Sequence, residues 1–234
     1  MVLFLLVYRG VVVDNDYIKE FSLQRVLNDE LLHSLTITSY NKGDFVIRQG
    51  ENPRFLFFLA KGKIKAYKIS PEGKRVIISF KDSFDIIGDI EFVQQAPYIN
   101  TVEAMTDVEM LTIPIQVAQK YGMGYLPFVR FLLERITEKL YANSNALTFN
   151  LMYPVEVRLC SYLLSMSMNN EAVSTRDLRD AADLIGTTKR HMNRVIGDLC
   201  KKGILERRER SILIVDRERL TILGKNNIYE EEKQ

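Results

Sequence analysis

Between residues 174 and 210 the chain reads STRDLRDAADLIGTTKRHMNRVIGDLCKKGILERRER, and apolar spacing, glycine placement and charge all ask for one arrangement. Leu178, Ala181, Ala182 and Ile185 recur at helical spacing, and Gly186 stands where a short turn between two helices needs a positive φ angle. Thr187 or Thr188 then offers a side-chain oxygen to the orphan amides of a second helix, whose buried stripe is Met192, Val195, Ile196 and Leu199. The other face of that helix carries Thr188, Lys189, Arg190, Asn193 and Arg194, donors suited to base edges and phosphates when a helix enters the major groove, with Thr187 and His191 beside them. Gly203 ends the helix. Residues 204–206 and 211–215 then read as two short strands joined at a hairpin tip by Arg207, Arg208, Glu209 and Arg210. The pattern is that of a winged helix-turn-helix.

Charge supports this reading. Residues 174–210 hold ten lysines and arginines against six aspartates and glutamates, a net of about +4, while the whole chain carries +2. Such clustering is an electrostatic footprint for phosphate. A charge run alone would be read as a solvated basic hairpin of helices. Turn glycine, capping threonines, basic face and wing in the right order point instead to double-stranded DNA.

The remaining chain, 234 residues long with 47% hydrophobic and 26% charged residues, is long enough for two ordinary domains with sizeable cores. Cys160 and Cys200 are far apart in apolar helical settings, so neither a disulfide framework nor a metal-binding pair is indicated, which fits a cytoplasmic protein. The opening MVLFLLV is apolar but lacks a basic leader and is interrupted by Arg9 and Gly10 well short of a membrane-spanning length. It reads as a packed N-terminal strand or equally as a dispensable extension, with a signal peptide far behind both. No membrane partner is expected.

Residues 15–35 suggest one or two short helices. From Thr36 to about Pro114, short β-branched and aromatic runs alternate with turn residues. Residues 45–48, 55–60, 64–69, 75–80, 101–105 and 108–113 each have strand length, and their spacing predicts a small antiparallel roll. Pro114 to Tyr121 reads as a short connecting helix. Leu126 to Met152 is one long helical pattern, in which Val129, Leu133, Ile136, Leu140, Asn143 and Leu147 fall at heptad spacing. A helix of roughly 27 residues spans about 40 Å, longer than a small roll needs, so the seam predicts a homodimer, against the simpler reading of a helix buried on its own roll. Asn143 would then fix the seam's register or meet a ligand. Pro154 opens the next helix, with Leu159, Tyr162, Leu163 and Met166 as its core stripe. The fold class is therefore α+β. Residues 1–124 form a sensing roll, 125–153 a dimerisation helix, 154–224 a winged helix-turn-helix, and 225–234 a frayed tail.

This order of parts resembles the Crp/Fnr superfamily of bacterial transcription regulators over about residues 36 to 218. The resemblance rests on Lys42-Gly43-Asp44, Arg48-Gln49-Gly50-Glu51, Leu59-Ala60-Lys61-Gly62, Ile87-Gly88-Asp89 and the helix-turn-helix of residues 178–203 with Arg194 in its second helix. It implies a homodimer whose roll is cyclic-nucleotide-binding-like and senses an effector, and whose long helices relay the change to DNA-binding domains acting with RNA polymerase. In the cyclic-nucleotide branch a Gly-Glu motif is followed by Arg-Ser for the cyclic phosphate. Here Gly88-Asp89 resembles the first half, but Tyr98-Ile99-Asn100 replaces the second and supplies no guanidinium for a paired phosphate contact. If a pocket exists it involves Gly88, Asp89, Ile90, Glu91, Tyr98, Asn100, Asn143 and Ser144, for an effector the sequence does not identify. The iron-sulfur branch needs an N-terminal cysteine cluster, and haem sensing needs a roll histidine ligand, neither of which this sequence supplies. No cofactor and no metal are expected. Many family members place Glu where this chain has Arg190, exchanging an acceptor suited to cytosine for a donor suited to guanine or phosphate.

A metal-dependent enzyme on a similar roll would require several histidines, and the chain has His33 and His191 only, one in each half. Gly122-Met123-Gly124 lacks the later glycine and the strand-helix setting of a nucleotide loop. A non-enzymatic regulator is expected. A scaffold whose winged domain contacts protein is the alternative.

Overall fold

The computed structural model describes residues 11–224 except 13–14, 74, 83, 168–171, 176–177 and 179. The apolar opening and the expected tail from residue 225 lie outside the described residues, apart from the strand Val11–Val12. The residues up to Lys139, apart from Arg75–Ile77, form one compact unit, and Arg75–Ile77 with the residues from Leu140 onward form the other. The long helix is divided between the two.

In the first unit, the short helices α1 (Asn15–Glu20) and α2 (Asp29–His33) precede two antiparallel sheets. One sheet has the order β1 (Val11–Val12), β2 (Thr36–Tyr40), β9 (Val108–Pro114), β4 (Phe55–Lys61) and β7 (Ile86–Ile87). The other runs β3 (Phe45–Ile47), β8 (Thr101–Ala104), β5 (Ile64–Ile69) and β6 (Arg75–Lys81), the first three residues of β6 being those grouped with the second unit.

The near-continuous apolar runs of β4 and β9 follow from burial on both faces. Side chains alternate across a strand. Leu56, Phe58, Leu111 and Ile113 therefore point to a core shared with Leu23, Leu27, Leu31 and the long helix. Phe57, Leu59, Val108 and Met110 point to a second core shared with Val46, Ile64, Tyr98 and Val102. A strand wet on one face would read as alternating polar and apolar residues; these central strands cannot.

α3 (Asp89–Gln94) follows β7, and a short helical stretch, α4 (Ile115–Val117) continued by a π turn at Ala118–Gly122, leads into α5 (Leu126–Met152). In the second unit, α6 (Val155–Met166) is followed by β10 (Ala172–Ser174), α7 (Ala181–Leu184), α8 (Lys189–Lys201), β11 (Leu205–Arg207), β12 (Ser211–Ile214) and α9 (Arg217–Gly224). Leu159, Tyr162, Leu163, Ile196, Leu199, Ile204, Ile212 and Leu220 make its core. No described helix is long and apolar enough to cross a membrane.

The first half of α5 is tied to the roll by the buried Phe128 and Leu132 and by one ionic cluster. Lys139 Nζ lies 2.9 and 3.1 Å from the two carboxylate oxygens of Asp89 and 3.5 Å from Asp85, and it also donates to the Ile86 carbonyl. Lys81 approaches Asp85 from its other side at 3.4 Å. Burial pushes the Asp89 carboxyl above its ordinary value, against the pull of Lys139 in the other direction. Removing one partner of a buried pair costs more than removing both, because a charge is left uncompensated. Lys139→Met is thus expected to destabilise the protein by about 3–5 kcal/mol in urea unfolding, and Asp89→Asn by clearly less. Because the folded pKa of Asp89 exceeds the unfolded one, its contribution is full below the unfolded value and is lost as pH rises through the folded one. The stability of the wild type relative to Asp89→Asn should therefore fall as pH rises above the ordinary carboxylate range.

Candidate nucleic-acid interface

The mounting of α8 begins at the turn before it. Gly186 adopts φ +64°, left-handed geometry that a side chain would resist. A Cβ there would also sit 3.3 Å from Nη1 of Arg158. That guanidinium, buried in α6, donates to the carbonyl of the buried Ile185 and so satisfies the C-terminal end of α7. Thr187 N–H closes the turn on Ala182 O at 2.9 Å. Of the two candidate caps, Thr188 serves: its backbone is extended and its Oγ1 accepts from His191 N–H at 3.1 Å.

Met192, Val195, Ile196 and Leu199 are all buried, as their spacing predicts. Thr188, Lys189, Arg190, Asn193 and Arg194 are exposed on the opposite face, with Thr187 and His191 half-buried at its margin. At the far end Gly203 takes φ +70°, and its own N–H and that of Ile204 bond back to Cys200 O and Leu199 O, both at 3.0 Å, the pattern of a glycine-ended helix.

The wing follows at once. Leu205 pairs with Ile214 and Arg207 with Ile212, and Arg208 N–H closes the tip on Ser211 O at 2.9 Å. Arg207, Arg208, Glu209 and Arg210 are exposed. Arg208 is partly engaged by Glu206 at 3.1 Å, an exposed pair of little energetic weight. Arg207 reaches across to α8, donating from Nη2 to Asn193 Oδ1 at 3.2 Å. Two elements here were not read from the sequence. β10 pairs with β12 along the edge away from β11, and α9, which packs on α6, has its third amide held by Asp216 at 2.9 Å. The aspartate before α9 was a readable helix-start signal; β10 has no comparable one.

In the roll, the candidate pocket residues take up internal work. Asp89 is held by Lys139, a residue that sequence reasoning did not single out. Glu91 Oε1 accepts from Ile99 N–H at 2.9 Å, and Tyr98 Oη donates to Phe55 O at 3.2 Å. Burial pushes the Tyr98 phenol well above its ordinary value. Its ring lies against Gly88, within the core between the sheets. Ile90 and Asn100 are half-buried. Asn143 and Ser144 are exposed and belong to the second unit. Along α5, Leu126, Leu133, Leu140 and Leu147, each seven residues from the last, are 76, 62, 68 and 62% exposed, while Val129 and Ile136 are half-buried.

A capped basic helix locked to its own core, flanked by a basic wing and following a two-sheet roll, defines a DNA-binding transcription regulator. The comparisons agree. Residues 37–121 match the family model of the cyclic nucleotide-binding domain, and residues 157–223 match that of the Crp-like helix-turn-helix domain. The chain is 25% identical over 181 residues to the regulatory protein YeiL of Escherichia coli O157:H7, covering 77% of this chain and 82% of that protein. It is 21% identical over 198 residues to the CRP-like cAMP-activated global transcriptional regulator of Mycobacterium tuberculosis, covering 81% and 88%. Among solved structures, a chain of the Crp/Fnr family from Eubacterium rectale shares the fold with a TM-score of 0.79 at 17% identity, covering 90% of this chain and 100% of that one. FixK2 from Bradyrhizobium japonicum gives 0.66 at 21% identity, covering 82% and 98%. The chain belongs to the Crp/Fnr superfamily of transcription regulators.

The two kinds of contact expected of this face, to bases and to phosphates, separate experimentally. Arg190→Ala is expected to cost about 1–3 kcal/mol on the preferred duplex and to relax base choice at one position of each half-site. Arg208→Ala should weaken all sequences alike and reduce the salt slope by about one. Fluorescence anisotropy on matched and mismatched duplexes over a salt series checks both.

Proposed function

We propose that this regulator works in the cytoplasm as a homodimer on two-fold symmetric duplex sites, placing one α8 in each of two successive major grooves and acting with RNA polymerase at promoters. The observation that carries the reading is the exposed leucine stripe of α5. Leucines left in water at every seventh position invite a second copy, since full burial of each contributes about 1.5–3 kcal/mol. The seven-residue repeat is that of paired helices, and the exposed Asn143 supplies the polar group that fixes register in such seams. Paired recognition helices in turn match a palindromic site.

The bases are read by Arg190, Asn193 and Arg194, with Thr187, Thr188, Lys189 and His191 around them, and the backbone is gripped by Arg207, Arg208 and Arg210. The roll is the regulated part, for an effector of unidentified chemistry. Control by a cyclic nucleotide is disfavoured: residues 98–100 offer no guanidinium, and Asp89 is engaged by Lys139.

Selection from a random duplex pool at two salt concentrations, with and without cyclic AMP, tests the reading. A palindrome whose enrichment ignores the nucleotide and weakens with salt is expected; half-sites without symmetry would overturn the dimer. Leu140→Glu with Leu147→Glu should yield a monomer in sedimentation and lower affinity for the full palindrome on the order of a hundredfold, the loss of avidity from an uncoupled second site.

A further inference from the structure

We infer that Arg207 is a positioning residue for base recognition: from the wing it turns the amide of Asn193 so that this side chain meets DNA as a hydrogen-bond donor. The inference rests on the reading above that α8 enters the major groove.

The argument starts from what each group can do. Asparagine carries an acceptor oxygen and a donor nitrogen whose order along the amide is set by the company it keeps. Arginine has five donors and no acceptor, so the atom of Asn193 that faces Arg207 must be the oxygen. The observed contact, Nη2 to Oδ1 at 3.2 Å, has that sense. Both residues are exposed, and each sits on an anchored element. Asn193 lies on α8 beside the buried Met192. Arg207 lies in a strand whose neighbour Leu205 is buried and whose partner across the hairpin is Ile212.

The consequence concerns which bases suit the site. Asparagine reads adenine by setting oxygen and nitrogen side by side against N6 and N7. With the oxygen turned to the wing and one of its lone pairs taken, the amino group is the end left to lead into the groove. A leading donor suits the acceptor edges of guanine or the O4 of thymine better than the mixed edge of adenine. Arg207 thereby contributes to sequence choice without touching a base, in addition to any phosphate it meets.

The test is duplex selection followed by competition binding on the enriched site and its single-base variants, with wild type, Asn193→Ala, Arg207→Met and the double variant. Asn193→Ala should flatten preference at one position of each half-site. Arg207→Met, which keeps an unbranched stem but removes the donors, should shift that same position toward adenine on the order of tenfold, and should leave preference unchanged where Asn193 is already alanine. If Arg207→Met instead weakens all duplexes equally in both backgrounds and only lowers the salt slope, Arg207 is a phosphate contact and the inference fails while the DNA-binding reading stands. A shift of preference in the Asn193→Ala background would also overturn it, since Arg207 would then act directly. If the wild type enriches no sequence, the underlying reading fails first. Circular dichroism confirms that each variant retains its fold.

Discussion

The interface depends on how abruptly one helix stops and another starts. Between Ile185 and Lys189 the chain ends α7, reverses and opens α8, so two sets of orphan backbone groups must be satisfied within a few residues. Arg158 takes the carbonyl of Ile185, and Thr188 takes the amide of His191. Gly186 supplies the backbone conformation and the empty space that allow the guanidinium to approach. With the turn held on both sides, the buried stripe of α8 leaves no freedom in which residues face outward. The basic face is thus a consequence of packing as much as of composition.

The roll solves a different problem. Its central strands are buried on both faces, so almost nothing polar can be carried there, and the polar groups gather around β7 and α3. There Asp85, Asp89 and Lys139 are held together by one another and by a backbone carbonyl. Desolvation makes such a cluster a weak source of net stability. It is demanding in geometry, however, because each charge is tolerable only while its partners stay in place. The cluster therefore fixes where along α5 the roll is attached more strictly than the surrounding apolar contacts do.

Much of this was legible in the sequence, and what was not has physical reasons. The ends of α5 were readable because a long heptad pattern lies between a glycine-rich turn and Pro154. The buried face of α8 was readable because helical spacing leaves little ambiguity. β7 and β10, two and three residues long, are too short to show a period, and their existence depends on partners distant in the chain. α3 was hidden because its first residues doubled as the Gly-Asp motif, which drew the eye to a possible ligand contact. The partner of Asp89 could not be read at all. Lys139 is the single lysine of α5, one of five charged residues on that helix and fifty positions from Asp89, and only the folded chain brings the two together. Of the residues proposed for a pocket, Glu91 and Tyr98 spend hydrogen bonds on the roll itself, pairings that join positions far enough apart in the chain to leave no local signal.

The leucine stripe of α5 also bears on how a cell would experience this protein. The dimer proposed on this stripe, a seam of a few leucines and one asparagine, makes the active species a matter of mass action. When copies are scarce, the concentration of dimers rises with the square of the number of chains, so doubling synthesis would bring about four times as much of the form that grips a palindrome. A gene controlled in this way responds to small changes in the dosage of its regulator as well as to any signal the regulator receives.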